Sequence, residues 1–196
     1  MHTPTLSSRL HQRLQAIRPA RGMTLIECLI AVAVACTAIG TAVPSYGRML
    51  EKRHLEGAAA QLETDIQFAR GLAASMNEPV RLRVQQDAGG SCYIVYRGPA
   101  AGCTCTSGGA PVCGTGSPGG QANALLRSLR LPAPGGVQAQ SNVSSMLFSP
   151  LHGTVTPTGT LKLTGREGRQ LHVVVNLMGR ARTCAPAGAV AGYPSC

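Results

Sequence analysis

The sequence predicts an α+β fold: a long N-terminal helix, half apolar and half amphipathic, packed on antiparallel β-sheet with disulfide-stapled loops. Three observations carry this prediction. Residues 23–43 form an apolar run with a single charge, and residues 46–77 repeat apolar positions at three- and four-residue spacing. From Pro79 onward, short alternating runs are separated by Gly- and Pro-rich stretches. A helix followed by a series of strands keeps its α and β elements apart and favours an antiparallel sheet. With no Trp, four Tyr and two Phe, the core must be built mainly from aliphatic side chains.

Residues 1–22 read as a short basic leader, with Arg9, Arg13, Arg18 and Arg21 and no acid. Such a flank stays on the cytoplasmic side, which orients the chain N-in and C-out. Behind it comes MTLIECLIAVAVACTAIGTAV, Met23 to Val43. At about 1.5 Å per residue this run spans roughly 30 Å, enough to cross a bilayer. Glu27 is its only charge, and an isolated carboxylate in hydrocarbon is costly enough to point to a function and a partner. Three processing routes fit the run. A secretory signal would be cut near AVACTA, and a lipoprotein would use Cys36 after Ala33-Val34-Ala35. Cleavage between Gly22 and Met23 would instead keep the run in the mature protein.

The helix is predicted to continue from Tyr46 to Asn77. Leu55, Ala59, Leu62, Ile66, Ala69, Ala73 and Met76 share one face, with Glu51, Lys52, Glu56, Glu63, Asp65 and Arg70 elsewhere. Asn77 and Pro79 end it, because a residue preceding proline is pushed out of the helical region. The period then changes from helical to alternating. VRLRVQQ (80–86) puts Val80, Leu82 and Val84 opposite Arg81 and Arg83, and SCYIVYR, ALLRSLRL, GTLKLTG and QLHVVVNL read as further strands. Residues 98–122 form a Gly-rich loop whose order rests on its three cysteines. Its Gly114–Gly119 stretch matches G-x-G-x-x-G in spelling only, since no strand precedes it and no helix follows.

The eight cysteines fall into two groups. Cys28 and Cys36 lie in the apolar run, whereas Cys92, Cys103, Cys105, Cys113, Cys184 and Cys196 lie beyond it. An even set beyond a membrane segment reads as disulfides in an oxidising compartment. Zinc is the rival, but no C-x2-C pair exists and Cys103-Thr-Cys105 is a poor chelating spacing. Cys184 and Cys196 would close one segment, leaving the other four to pair in one of three ways. Catalytic materials are few: past the helix the imidazoles are His152 and His172, and no arrangement of acids around them suggests an active site. The expectation is a non-enzyme without cofactor or metal.

Charge is distributed unevenly. From Ala88 onward eight basic residues face Glu167 alone, a net +7 that favours an anionic partner or surface. Within that half the most informative stretch is MGRART, Met178 to Thr183. Gly179 permits a bend, after which an extended chain projects Arg180 and Arg182 from one face, about 6.5–7 Å apart. That matches the phosphate repeat along a nucleic-acid strand closely enough for two guanidiniums to engage neighbouring phosphates. The plain alternative is a pair of solvated surface arginines. The basic half has only four aromatics in more than a hundred residues, so phosphate contact is favoured over base stacking.

The stretch GMTLIE resembles the class III signal of type IV pilins and pseudopilins, with Met23 where that family most often has Phe. Pro44 also matches a proline of pilin-like helices, and QLETDIQFARGLAASMNEPVRLRV resembles the FimT/GspH group of minor pilins and pseudopilins. The resemblance covers most of residues 20–184 and implies a pilin-like fold. It further implies that a prepilin peptidase cuts after Gly22 and methylates Met23, and that Glu27 pairs with the new amine during subunit docking. The organisation it suggests is a leader at 1–22, a transmembrane and assembly helix at 23–45, an amphipathic helix at 46–78 and a β-rich domain at 79–196.

Gly-Arg-x-Arg resembles a motif of FimT-like minor pilins that bind DNA in natural transformation, which carries over to Gly179, Arg180 and Arg182. Lys162, Arg166 and Arg169 join them on charge and proximity. The expected protein is a minor type IV pilin, held in the inner membrane with its domain in the periplasm, then placed in or near a pilus. Its partners would be other pilin or pseudopilin subunits and double-stranded DNA. The alternatives are a GspH-like pseudopilin of a type II secretion system, a structural minor pilin without DNA binding, and an uncut membrane-anchored periplasmic protein.

Overall fold

The structure, a computed structural model, describes residues 22–107, 110–115, 123–133, 136–188 and 190–196, with the side chains of 41–45 and 187 excepted. The leader at 1–21 and the part of the Gly-rich loop at 116–122 lie outside the described residues. The chain divides into two compact units, 1–45 and 46–196. One helix, α1 (Leu25–Met76), contributes to both.

In the first unit α1 starts with a cap that its sequence encodes. The Glu27 amide donates to Thr24 Oγ1 at 3.4 Å and the Cys28 amide to the Thr24 carbonyl at 3.2 Å. Thr24-Leu-Ile-Glu27 therefore has the spacing of a capping box, and the Glu27 carboxylate sits in the first turn, where the helix dipole favours negative charge. All described side chains from 22 to 40 are exposed, among them Met23, Leu25, Ile26, Leu29, Ile30, Val32, Val34 and Ile39. Among the described residues no helix is long and apolar enough to cross a membrane; the predicted run continues into 41–45, whose side chains lie outside them.

The second unit is an α+β domain. Leu55, Ala59, Leu62, Ile66, Ala69 and Ala73 are fully buried, so the apolar spacing of α1 becomes one packed face. Each of the larger ones contributes roughly 1.5–3 kcal/mol of transfer free energy. The helix ends in a left-handed turn: Asn77 has φ of +52°, and the Glu78 amide returns to the Ala73 carbonyl at 3.3 Å.

Among the described residues eleven strands follow: β1 (Val80–Asp87), β2 (Gly90–Arg97), β3 (Cys103–Thr104), β4 (Val112–Cys113), β5 (Ala124–Pro132), β6 (Gln138–Ser141), β7 (Met146–Phe148), β8 (Val155–Thr156), β9 (Gly159–Thr164), β10 (Gln170–Val175) and β11 (Ala181–Cys184). They form a five-stranded sheet in the order β5-β2-β1-β7-β8, a four-stranded sheet in the order β11-β10-β9-β6, and the small β3-β4 pair. Every pairing is antiparallel. Residues of α1 and of both larger sheets meet in one core, and the Ser91 hydroxyl on β2 accepts from the Ala139 amide on β6 at 2.7 Å.

The five longer runs of the sequence become β1, β2, β5, β9 and β10. Short strands β3, β4, β6, β7 and β8 have too few residues for an alternating pattern and are formed by their neighbours. In β2 the side chains from Ser91 to Tyr96 are buried on both faces. Tyr93 and Val95 point to the α1 core, whereas Cys92, Ile94 and Tyr96 form a second cluster with Cys103 beneath the Gly-rich loop. Disulfides Cys92–Cys105 and Cys103–Cys113 hold that loop in place, and Cys184–Cys196 closes the C-terminal segment.

Two acids placed off the apolar face by the sequence are nonetheless buried. Asp65 is 2% exposed; it accepts from the Tyr93 hydroxyl at 2.6 Å, from Gln61, and from the Arg127 guanidinium. Burial and this carboxylate together push the Tyr93 phenol far above its ordinary pKa. Glu51 accepts from the Glu167 amide at 2.7 Å and thereby fixes the β9–β10 turn against α1.

Candidate nucleic-acid interface

Strands β9 and β10 alternate strictly: Leu161, Leu163, Leu171, Val173 and Val175 face the core. Register then fixes what the opposite face carries. Val174 on β10 lies opposite Arg182 and Thr160, and His172 lies opposite Cys184 and Lys162. Lys162 in turn lies opposite Gln140 on β6. This outward face therefore brings together Arg182, Lys162 and His172 among Thr and Gln side chains, with no acid at any of its paired positions. Arg182 and Lys162 are two strands and two residues apart, about 12 Å on a diagonal.

Arg180 joins the face through the β10–β11 turn. The Gly179 amide donates to the Asn176 carbonyl at 2.9 Å, the Asn176 amide to the Arg180 carbonyl at 3.1 Å, and the Arg180 amide to Asn176 Oδ1 at 2.9 Å. Gly179 has φ of +69°, and a Cβ there would stand 3.0 Å from Arg70 Cδ and 3.3 Å from Val155 Cγ2. The glycine is thus required twice, by its left-handed backbone and by the close approach of α1. Its carbonyl also accepts from Gln67 Nε2 at 3.4 Å. On β11 the inward Thr183 hydroxyl donates to Glu63. The turn and strand are fixed to the helix, while Arg180 and Arg182 are exposed and have no acidic partner among the described residues.

Arg166 and Arg169 sit elsewhere. They belong to the β9–β10 turn, at the far end of β10 from Arg180, a strand length of about 17–20 Å away. Arg169 is held by Glu167 at 2.6 Å and Glu51 at 3.6 Å. The stem of Arg166 lies over Gly136, where a Cβ would stand 2.5 Å from its Cγ. The sequence grouped these two with Arg180 and Arg182 by proximity along the chain; β10 places them at its opposite end.

His172 and Val174 were not singled out by the sequence, because nothing but strand pairing sets them beside the cations. His172 is held below its usual pKa by burial and by the Lys162 ammonium. Arg180 and Arg182 line a pocket of about 540 Å³ together with Val174, Asn176, Ala181 and the Cys184–Cys196 disulfide. Among the described residues no group of three or more His, Cys, Asp or Glu could hold a metal.

Comparison with known proteins gives two results. The chain is similar to the type IV minor pilin FimU of Pseudomonas aeruginosa in two crystal forms. One matches with 21% identity over 72% of this chain and 99% of that chain, at a TM-score of 0.47. The other matches with 20% identity over 69% and 99%, at a TM-score of 0.43. No curated protein matches. The family model described as type II transport protein GspH matches residues 58–179. That stretch begins on the buried face of α1, takes in both larger sheets except β11, and stops at the glycine before Arg180. With more than half its length so matched, the chain belongs to the GspH family.

Proposed function

We propose that this protein is a minor type IV pilin whose C-terminal domain binds DNA without sequence preference, for uptake in natural transformation. The observation that carries the reading is the outward face of the four-stranded sheet, where Arg180, Arg182 and Lys162 stand without an acid. Guanidiniums one phosphate repeat apart suit successive phosphates of one strand, and the ammonium about 12 Å away suits a phosphate across a groove. Such contacts position a duplex but do not read its bases.

Assembly supplies the rest of the reading. The exposed apolar side chains from Met23 to Ile39 need a bilayer or neighbouring subunits to cover them. Cleavage after Gly22 would place a new amine at Met23, four residues from Glu27. The pair would set subunit register, and Met23 would be methylated by the prepilin peptidase. Glu27 then has two tasks, complementing the helix dipole in the first turn of α1 and meeting an amine.

The direct test is duplex binding by the full chain in detergent micelles, on DNA of unrelated sequences. Log affinity is expected to fall with log salt at a slope of about −2.7 for three phosphate contacts. Binding that survives the combined Arg180→Ala and Arg182→Ala substitutions would overturn the assignment. A GspH-like pseudopilin of a type II secretion system is the second reading, favoured by the family description. On that reading the same face meets other subunits or secreted cargo, and the duplex assay is blank.

A further inference from the structure

We infer that the pocket between Arg180 and Arg182 seats one unpaired nucleotide of a DNA strand, so that the domain prefers single-stranded ends to blunt duplex. This rests on the DNA-binding reading above and specifies which part of the DNA the site holds.

A phosphate-only interface requires a flat or ridged basic surface. Here the two arginines flank a depression of about 540 Å³, within the range of small-ligand sites of about 300–1,000 Å³. Its base is apolar, formed by Val174 and the Cys184–Cys196 disulfide. Val174 is 39% exposed, an aliphatic side chain on a face otherwise made of Arg, Lys, His, Thr and Gln. Duplex phosphates resting on the two guanidiniums would leave this apolar base wet. A nucleotide matches both parts: an anionic phosphate for the rim and a flat, weakly polar ring for the base.

Two rim groups favour a nucleobase. A guanidinium stacks on a base as well as pairing with phosphate, and either arginine borders the depression. Asn176 uses its Oδ1 to accept from the Arg180 amide at 2.9 Å, which orients the side chain and turns its amide donor into a contact for a base acceptor. Every base offers such an acceptor, so the pocket selects for an unpaired base rather than for a sequence. A strand is preferred to a free nucleotide because the arginines are about one phosphate repeat apart and engage two phosphates. Duplex is disfavoured because the seated base must first leave its stack.

The experiment measures fluorescence anisotropy of the full chain in micelles with three probes: a blunt duplex, the same duplex with a short overhang, and a single strand of equal length. The overhang and the single strand are expected to bind about 10-fold more tightly than the blunt duplex. Val174→Gln puts a longer polar side chain on the base of the pocket and is expected to bring that ratio close to one. Arginine-dependent binding with equal affinity for all three probes would overturn the pocket assignment and leave the DNA-binding reading standing. A preference untouched by Val174→Gln would also overturn it. Competition by the mononucleotide dTMP as effective as by the single strand would overturn the assignment to a strand. No arginine-dependent binding of any probe would remove the underlying reading and the inference with it.

Discussion

The five-stranded and four-stranded sheets both carry basic residues, but the first sets three of its arginines against carboxylates, while Arg81 and Arg83 donate to the Gly98 and Ala100 carbonyls. Arg97 pairs with Glu78, Arg127 with Asp65, and Arg130 with Asp87. These acids precede Ala88, so the C-terminal half borrows them from α1, from the residues just after it, and from β1. On the four-stranded sheet Arg180, Arg182 and Lys162 have no such partner among the described residues. A net charge of +7 counted along the chain is therefore spread over two kinds of surface. One half of it locks the fold together, and the other half is available to a ligand.

Asp65→Ala should have the largest effect. It leaves the buried Tyr93 hydroxyl and the Arg127 guanidinium without their acceptor, at a cost of about 3 kcal/mol in denaturant unfolding. Arg127 is 42% exposed, so most of that loss comes from Tyr93 and the emptied site rather than from a screened ion pair. If the comparison is right, any folded fraction should keep its DNA affinity.

Next comes the combined Arg180→Ala and Arg182→Ala variant, which inverts the pattern. Duplex affinity should fall roughly 10- to 100-fold at low salt, while stability stays within about 0.5 kcal/mol of the parent. A stability loss as large as that of Asp65→Ala would show these arginines to be structural and dissolve the contrast between the sheets.

Gly179→Ala lies between the two classes. A Cβ forced into a left-handed residue against Arg70 should cost about 1–2 kcal/mol. Affinity should weaken with it, since the turn aims Arg180. The two readouts moving together is the expected result, checked by thermal melting and anisotropy on the same preparation.

The smallest effect concerns pH. The hydrogen bond from Arg130 holds the Asp87 carboxyl below its ordinary value, with opposition from burial and further help from the Gly89 amide. A depressed carboxylate contributes stability that is present above its unfolded pKa of 3.8 and is lost as pH falls through the lower folded value. Arg130→Ala should flatten stability against pH in that acid window and leave DNA affinity at neutral pH unchanged. Urea titrations at stepped acid pH would measure it.

How much of this could be read without the structure differs by element. The buried face of α1 was legible because three- and four-residue spacing fixes one side of a helix, and β9 and β10 were legible from strict alternation. The capping box Thr24–Glu27 was equally present in the letters, although membrane chemistry drew attention to the glutamate first. The burial of Asp65 was not legible: its position off the apolar stripe is the same whether it meets water or Tyr93. Arg166 and Arg169 read as neighbours of Arg180 and Arg182 because the chain distance is short, whereas β10 holds them at its other end.

Local order, in the end, came from the residues: where the helix runs and stops, which segments alternate, and that Gly179 must bend. These depend on backbone preference and on the period of apolar side chains, both of which act over a few residues. Which charges cancel and which stand free was decided by tertiary structure alone, because it depends on strand register and on contacts between residues far apart in the chain. Asp65 and Arg127 are 62 residues apart in sequence, and Thr183 and Glu63 are 120 apart. Interactions at that range leave no periodic trace, and it is they that separate the paired arginines of one sheet from the exposed pair of the other.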